Sequence, residues 1–112
     1  MAIKCDEYNG VCVFLVEGDL AGDAGDAFRR AAEEKLVQKR AHDYVVDLEK
    51  TDFIDSQGLE ALAWLKRRAD DLFGRMCIAS ADANIKKILE MTRLDHRFES
   101  HSDLSEALKS MR

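Results

Sequence analysis

Between Tyr44 and Ala79 the chain runs from an apolar stretch, Tyr44-Val45-Val46-Asp47-Leu48, through an acidic turn, Asp52-Phe53-Ile54-Asp55, into a segment of helical period. It then leaves through a second apolar stretch, Arg75-Met76-Cys77-Ile78-Ala79. Leu59, Leu62, Leu65, Ala69 and Leu72 share one face of a helix that starts at Ser56 or Gly58 and ends at Leu72, and Gly74 stands where a C-terminal cap is expected. Two short buried strands joined by a helix lie parallel, with the helix crossing one face of their sheet in the right-handed sense. That requirement restricts the chain to folds built on a partly parallel sheet.

The flanks extend the pattern. Ile3 to Tyr8 and Val11 to Glu17 are strands joined by Asn9-Gly10, a pair suited to the two positive φ angles of a type I′ hairpin turn. The first strand alternates, with Ile3 and Cys5 opposite Lys4 and Asp6, whereas the second is apolar on both faces and so is expected to be covered on both sides. Asp23 is the expected N-cap of a helix reaching roughly Lys39, with Ala24, Phe28, Ala31 or Ala32, and Lys35 or Leu36 inward. Ala83 to Met91 reads as a helix burying Ile85, Ile88 and Leu89, and Arg97 to His101 as a last short strand. Ser102 or Asp103 then caps a final helix carrying Leu104, Ala107, Leu108 and Met111. The sum is an α/β fold: a mixed central sheet of four to five strands with about four helices, opening with a hairpin, all within one domain over residues 1–112.

Composition removes several classes of function. A formal net charge of −5, with lysine and arginine scattered, is a poor footprint for a polyanion, so nucleic acid is not an expected partner. The apolar run Val11 to Val16 is far too short to span a bilayer, and no basic segment followed by an apolar one begins at Met1. Cys5, Cys12 and Cys77 are odd in number, lack C-x-x-C spacing and lie in strands, which suits buried thiols in a reducing cytoplasm. His42, His96 and His101 are too dispersed for metal spacing, and no cofactor is expected.

The acidic turn admits three readings. Asp55 or Ser56 can cap the helix. A hydroxyl at a helix N-terminus can carry a phosphate, with Gly58 leaving room for an approaching partner backbone or nucleotide. Asp47, Asp52 and Asp55 can hold Mg²⁺ as in a phosphoryl-transfer or receiver-like domain, although a nucleophile and a phosphate loop are missing from the pattern.

The segments VEGDLAGDAGDAF, YVVDLEKTDFIDSQGLEAL, RMCIAS, IKKILEMTRLDHRFES and DLSEAL, taken in order, resemble the STAS domain family, the fold of bacterial anti-sigma factor antagonists, over nearly the whole chain. The central segment is the most specific, since that family's hallmark is a strand ending in Asp, an apolar-Asp pair, then Ser-Ser-Gly-Leu or Ser-Thr-Gly-Leu opening a helix. The resemblance implies a non-enzymatic protein that binds an anti-sigma factor kinase and is released when the Ser or Thr before the glycine is phosphorylated. Asp55, Ser56, Gly58 and Leu59 match the motif, but the phosphoacceptor position is Gln57, which has no hydroxyl. The usual switch is therefore absent or moved to Ser56. The family's Gly-x-Leu-Asp is here Gly18-Asp19-Leu20-Ala21, so Asp19 or Asp23 would supply the charge facing a kinase.

The expected docking surface is thus the Gly18–Asp23 loop with the Asp55–Leu62 helix start, and Asp19, Asp23, Asp55, Ser56, Gln57, Gly58 and Leu59 are its expected residues. The alternative implied by the same resemblance is a STAS subunit of a lipid-trafficking ABC transporter, binding its ATPase, or a component of a signalling scaffold. A cytoplasmic monomer or weak homodimer, with no insertion into the membrane, is expected in each case.

Overall fold

Asn9 and Gly10 take φ of 50° and 84°, the two left-handed conformations of the expected hairpin turn. The computed structural model describes residues 2–38 and 42–111, and in it this turn joins β1 (Ala2–Tyr8) to β2 (Val11–Glu17), with Tyr8 opposite Val11 and Ala2 opposite Glu17. There follow α1 (Asp23–Gln38), β3 (Asp43–Lys50), α2 (Ser56–Asp71), β4 (Met76–Ala79), α3 (Ala83–Met91), β5 (Glu99–His101) and α4 (Leu104–Ser110). The strands lie in the order β1-β2-β3-β4-β5; β1 is antiparallel to β2, and every later neighbour is parallel. The expected hairpin, mixed sheet and helix complement are all present.

Because each new parallel strand is added on the same side of the last, the crossover helices α1, α2 and α3 gather on one face. Phe28 and Leu36 of α1, Leu62 and Leu65 of α2 and Ile85 of α3 form one buried cluster with Phe14, Tyr44 and Ile78 of the sheet. The other face is covered by α4, where Ala107 meets Val13, Val45 and Cys77. This arrangement accounts for β2 being apolar on both faces and β1, at the edge, alternating. Burial pushes the pKa of the Tyr44 hydroxyl up to about 12, as a low-dielectric surround disfavours the phenolate.

Several boundaries differ from expectation. Asp23 is the first helical residue and not the N-cap; that position falls to Gly22, whose φ is +59°. The expected end of this helix near Lys39 lies outside the described residues. Gly74 is not the left-handed residue at the end of α2. Phe73 takes that conformation, with φ of 60°, while Phe73 N–H donates to Asp70 O at 3.0 Å and Gly74 N–H donates to Ala69 O at 2.8 Å. This pair of bonds is a Schellman motif displaced by one residue. The glycine is needed one step later because a Cβ at position 74 would stand 1.7 Å from His42 O. Leu72 is half-buried at the helix C-cap, and β5 begins at Glu99, after Phe98 has turned into the core. Asp103 takes the cap of α4, accepting from Glu106 N–H at 2.8 Å.

Candidate docking surface

The loops leaving the carboxyl ends of β2 and β3 run side by side. Gly18 N–H donates to Lys50 O at 3.0 Å and Leu20 N–H to Phe53 O at 3.0 Å, and Asp55 N–H returns a bond to Leu20 O at 3.3 Å. These contacts make Leu20 and Ile54 an isolated parallel bridge, and both side chains are buried. The pairing of β2 with β3 is thereby continued past the sheet, which brings the Asp19–Asp23 segment against the start of α2.

Asp55 fastens the two pieces. One carboxylate oxygen, Oδ1, accepts from Gly58 N–H at 2.9 Å and caps α2; the other, Oδ2, accepts from Gly22 N–H at 2.8 Å at the start of α1. The Gly22 N–H first, and the Gly58 N–H second, hold this carboxyl below the usual carboxylate range. A depressed folded-state pKa contributes stability that is fully present above the unfolded value of about 3.9 and is lost as pH falls through the folded value. Asp55→Asn is therefore expected to lower stability at neutral pH, with the gap to the wild type narrowing as the solution is acidified through the carboxylate range. Denaturation profiles at a series of pH values check this, and a gap independent of pH would contradict it.

Gly58 serves the close approach of the two loops. A Cβ there would stand 2.1 Å from Leu20 O and 2.8 Å from Ile54 Cγ2, and one on Gly25 of α1 would stand 2.9 Å from Gln57 O. The room at Gly58 expected to admit a partner backbone or nucleotide is filled by the chain's own Leu20 carbonyl. Leu59 is likewise 7% exposed and belongs to the core. Of the expected docking residues, Asp19, Asp23, Ser56 and Gln57 are exposed, Asp55 is half-buried, and Gly58 and Leu59 support them from beneath.

Phe53, 47% exposed beside this group, was missed. Its signal was available: neighbours in an extended segment face opposite ways, so Phe53 must point outward if Ile54 points in. The alternative reading of Asp47, Asp52 and Asp55 as a Mg²⁺ site is not supported by their placement. Asp47 is buried and accepts from Glu49 N–H at 3.1 Å, Asp52 is exposed, and Asp55 is occupied by the two backbone donors. Among the described residues, the one set of three potential ligands whose atoms converge is Cys77, Glu99 and His101, with Cys77 on the sheet face covered by α4.

Residues 2–107 match the STAS domain family. Among solved structures, a protein of Thermotoga maritima, provisionally named an anti-sigma factor antagonist, superposes with a TM-score of 0.92 at 17% identity, over 98% of this chain and 94% of that one. An anti-sigma factor antagonist of Mycobacterium paratuberculosis gives 0.86 at 23% identity, over 99% and 93%. A sulfate transporter family protein of Wolinella succinogenes gives 0.82 at 11% identity, over 93% and 86%. None of the curated proteins matches the chain by sequence. Among the described residues, no helix is long and apolar enough to cross a membrane.

Proposed function

Because this chain belongs to the STAS domain family, we propose that its 112 residues form one STAS domain that acts by binding a protein partner, without catalysis, in the manner of an anti-sigma factor antagonist. The partner is an anti-sigma factor of the serine-kinase type, and the binding surface is the Asp19–Asp23 loop with the exposed start of α2. The observation that carries this reading is the Asp55 clamp. It presents Asp19, Asp23, Ser56 and Gln57 to solvent on a backbone already ordered by hydrogen bonds, so docking costs little conformational entropy.

Gln57 sets the regulation. Its amide has no hydroxyl to phosphorylate, and its neutrality makes it a poor copy of a phosphate. The protein is therefore competent to bind without dephosphorylation at this position, and among the described residues of the Asp19–Asp23 loop and the start of α2, Ser56 carries the one exposed hydroxyl. A second reading rests on the same glutamine: loss of the acceptor suits a STAS subunit bound to a transporter ATPase, where no phosphoswitch is needed.

Affinity capture of the tagged protein from its own cells, with mass spectrometry of partners and of the peptide containing Ser56 and Gln57, tests the proposal. Recovery of an anti-sigma kinase is the expected result. Recovery of a transporter ATPase in its place moves the chain to the second reading.

A further inference from the structure

On the face of the sheet covered by α4, the strand register brings together three side chains of different chemistry. Cys77 of β4 lies opposite Glu99 of β5, and His101 follows two residues on, on the same face. One ligand atom from each, the Cys77 Sγ, a Glu99 carboxylate oxygen and a His101 ring nitrogen, all lie within 4.8 Å of one another. From this convergence we infer that Cys77, Glu99 and His101 form a binding site for a borderline divalent transition-metal ion of the Zn²⁺ type, distinct from the docking surface.

The donor set selects the ion. A thiolate and an imidazole favour Zn²⁺ over the oxygen-seeking Mg²⁺ and Ca²⁺, and one carboxylate is a common third ligand. Bond lengths of about 2.0 Å to nitrogen or oxygen and about 2.3 Å to sulfur, at tetrahedral angles, require ligand atoms roughly 3.3 to 3.6 Å apart, so side-chain adjustments of about an ångström close the site. His101 Nε2 and Glu99 Oε2 are already 2.7 Å apart in a hydrogen bond that the ion would replace.

Arg75 orients the carboxylate. Its Nη2 donates to Glu99 Oε1 at 2.8 Å and Oε2 at 2.6 Å, and its Nη1 donates to Ser110 O at 2.5 Å on α4. Ligating carboxylates are ordinarily held by such outer hydrogen bonds. The Cys77 thiol is fully buried, and burial first and Glu99 second raise its pKa to about 12. In the absence of a cation it is therefore protonated. Binding breaks the S–H bond and forms a metal–sulfur bond, and the proton leaves to solvent. Three protein ligands leave a fourth position for water, on the side where Glu99 is exposed. The ion would tie β5, the shortest strand, to β4.

Titration of the full chain with Co²⁺ alone tests this, because a cysteine thiolate bound to Co²⁺ gives charge-transfer absorption that carboxylate and imidazole ligands do not. The expected result is such absorption saturating at about one equivalent and removed by added Zn²⁺. Cys77→Ala should abolish it, Cys5→Ser should leave it intact, and His101→Gln, a change at the half-buried sheet edge, should weaken Co²⁺ binding at least about tenfold. No charge-transfer absorption in the wild type, or absorption that survives His101→Gln unchanged and follows Cys5, would overturn the site.

Discussion

Gly58→Ala is expected to destabilise the protein by about 3 kcal/mol, at the upper end of ordinary overpacking, because the obstacles are a backbone carbonyl and a buried methyl group. The added Cβ would meet Leu20 O at 2.1 Å and Ile54 Cγ2 at 2.8 Å, and neither can rotate away as the end of a flexible side chain would. Relief requires α2 and the Asp19–Asp23 loop to move apart, which also strains both hydrogen bonds of the Asp55 carboxylate. A loss of that size is a large part of a typical domain stability of about 5 to 15 kcal/mol. Urea denaturation should show a lower midpoint with an unchanged slope. A loss below about 0.5 kcal/mol, the level of a neutral surface change, would mean that the two loops are not locked together as described.

Leu62→Ala is expected to cost about 2 to 5 kcal/mol. Leu62 is fully buried and faces the sheet from α2 within the larger core cluster, so truncation removes transfer free energy and leaves a cavity among side chains from several elements. The same denaturation measurement applies, and it gains force from a control about one and a half turns earlier. Gln57→Ser, on the exposed side of the same helix, should stay within about 0.5 kcal/mol of the wild type. Equal effects at both positions would contradict the assigned orientation of α2.

The architecture was legible because its signals are local and periodic. The Asn9-Gly10 turn, the helical spacing of Leu59, Leu62 and Leu65, and the change of period between strand and helix each need only a few residues of context. The start of α2 was legible for the same reason, since a run such as Asp55-Ser56-Gln57-Gly58 marks a helix start on its own. What the sequence did not disclose depends on contacts between distant segments. The second bond of Asp55, to Gly22, joins residues 33 positions apart. The reason for Gly74 is the carbonyl of His42, on the loop before β3. Gly58 illustrates the difference most clearly: in the sequence its small size suggests room for a partner, whereas the approaching backbone is the chain's own. Cys77 reads as a core thiol and His101 as a dispersed histidine, because linear spacing carries no trace of the parallel strand register that brings them together with Glu99.

The role of the exposed start of α2 can be measured directly by binding. The captured anti-sigma kinase, once purified, should be titrated with the wild type and with a Ser56→Arg, Gln57→Arg double variant. Both substitutions lie on exposed positions, so the domain should stay folded, with only the small loss of stability expected for cations at the N-terminus of α2. Placing two cations between Asp19, Asp23 and the partner is predicted to weaken binding by at least about a hundredfold, some 3 kcal/mol, as expected for disruption at the centre of an interface. Equal affinity for a folded double variant would place the partner elsewhere on the domain and contradict the assignment of this surface.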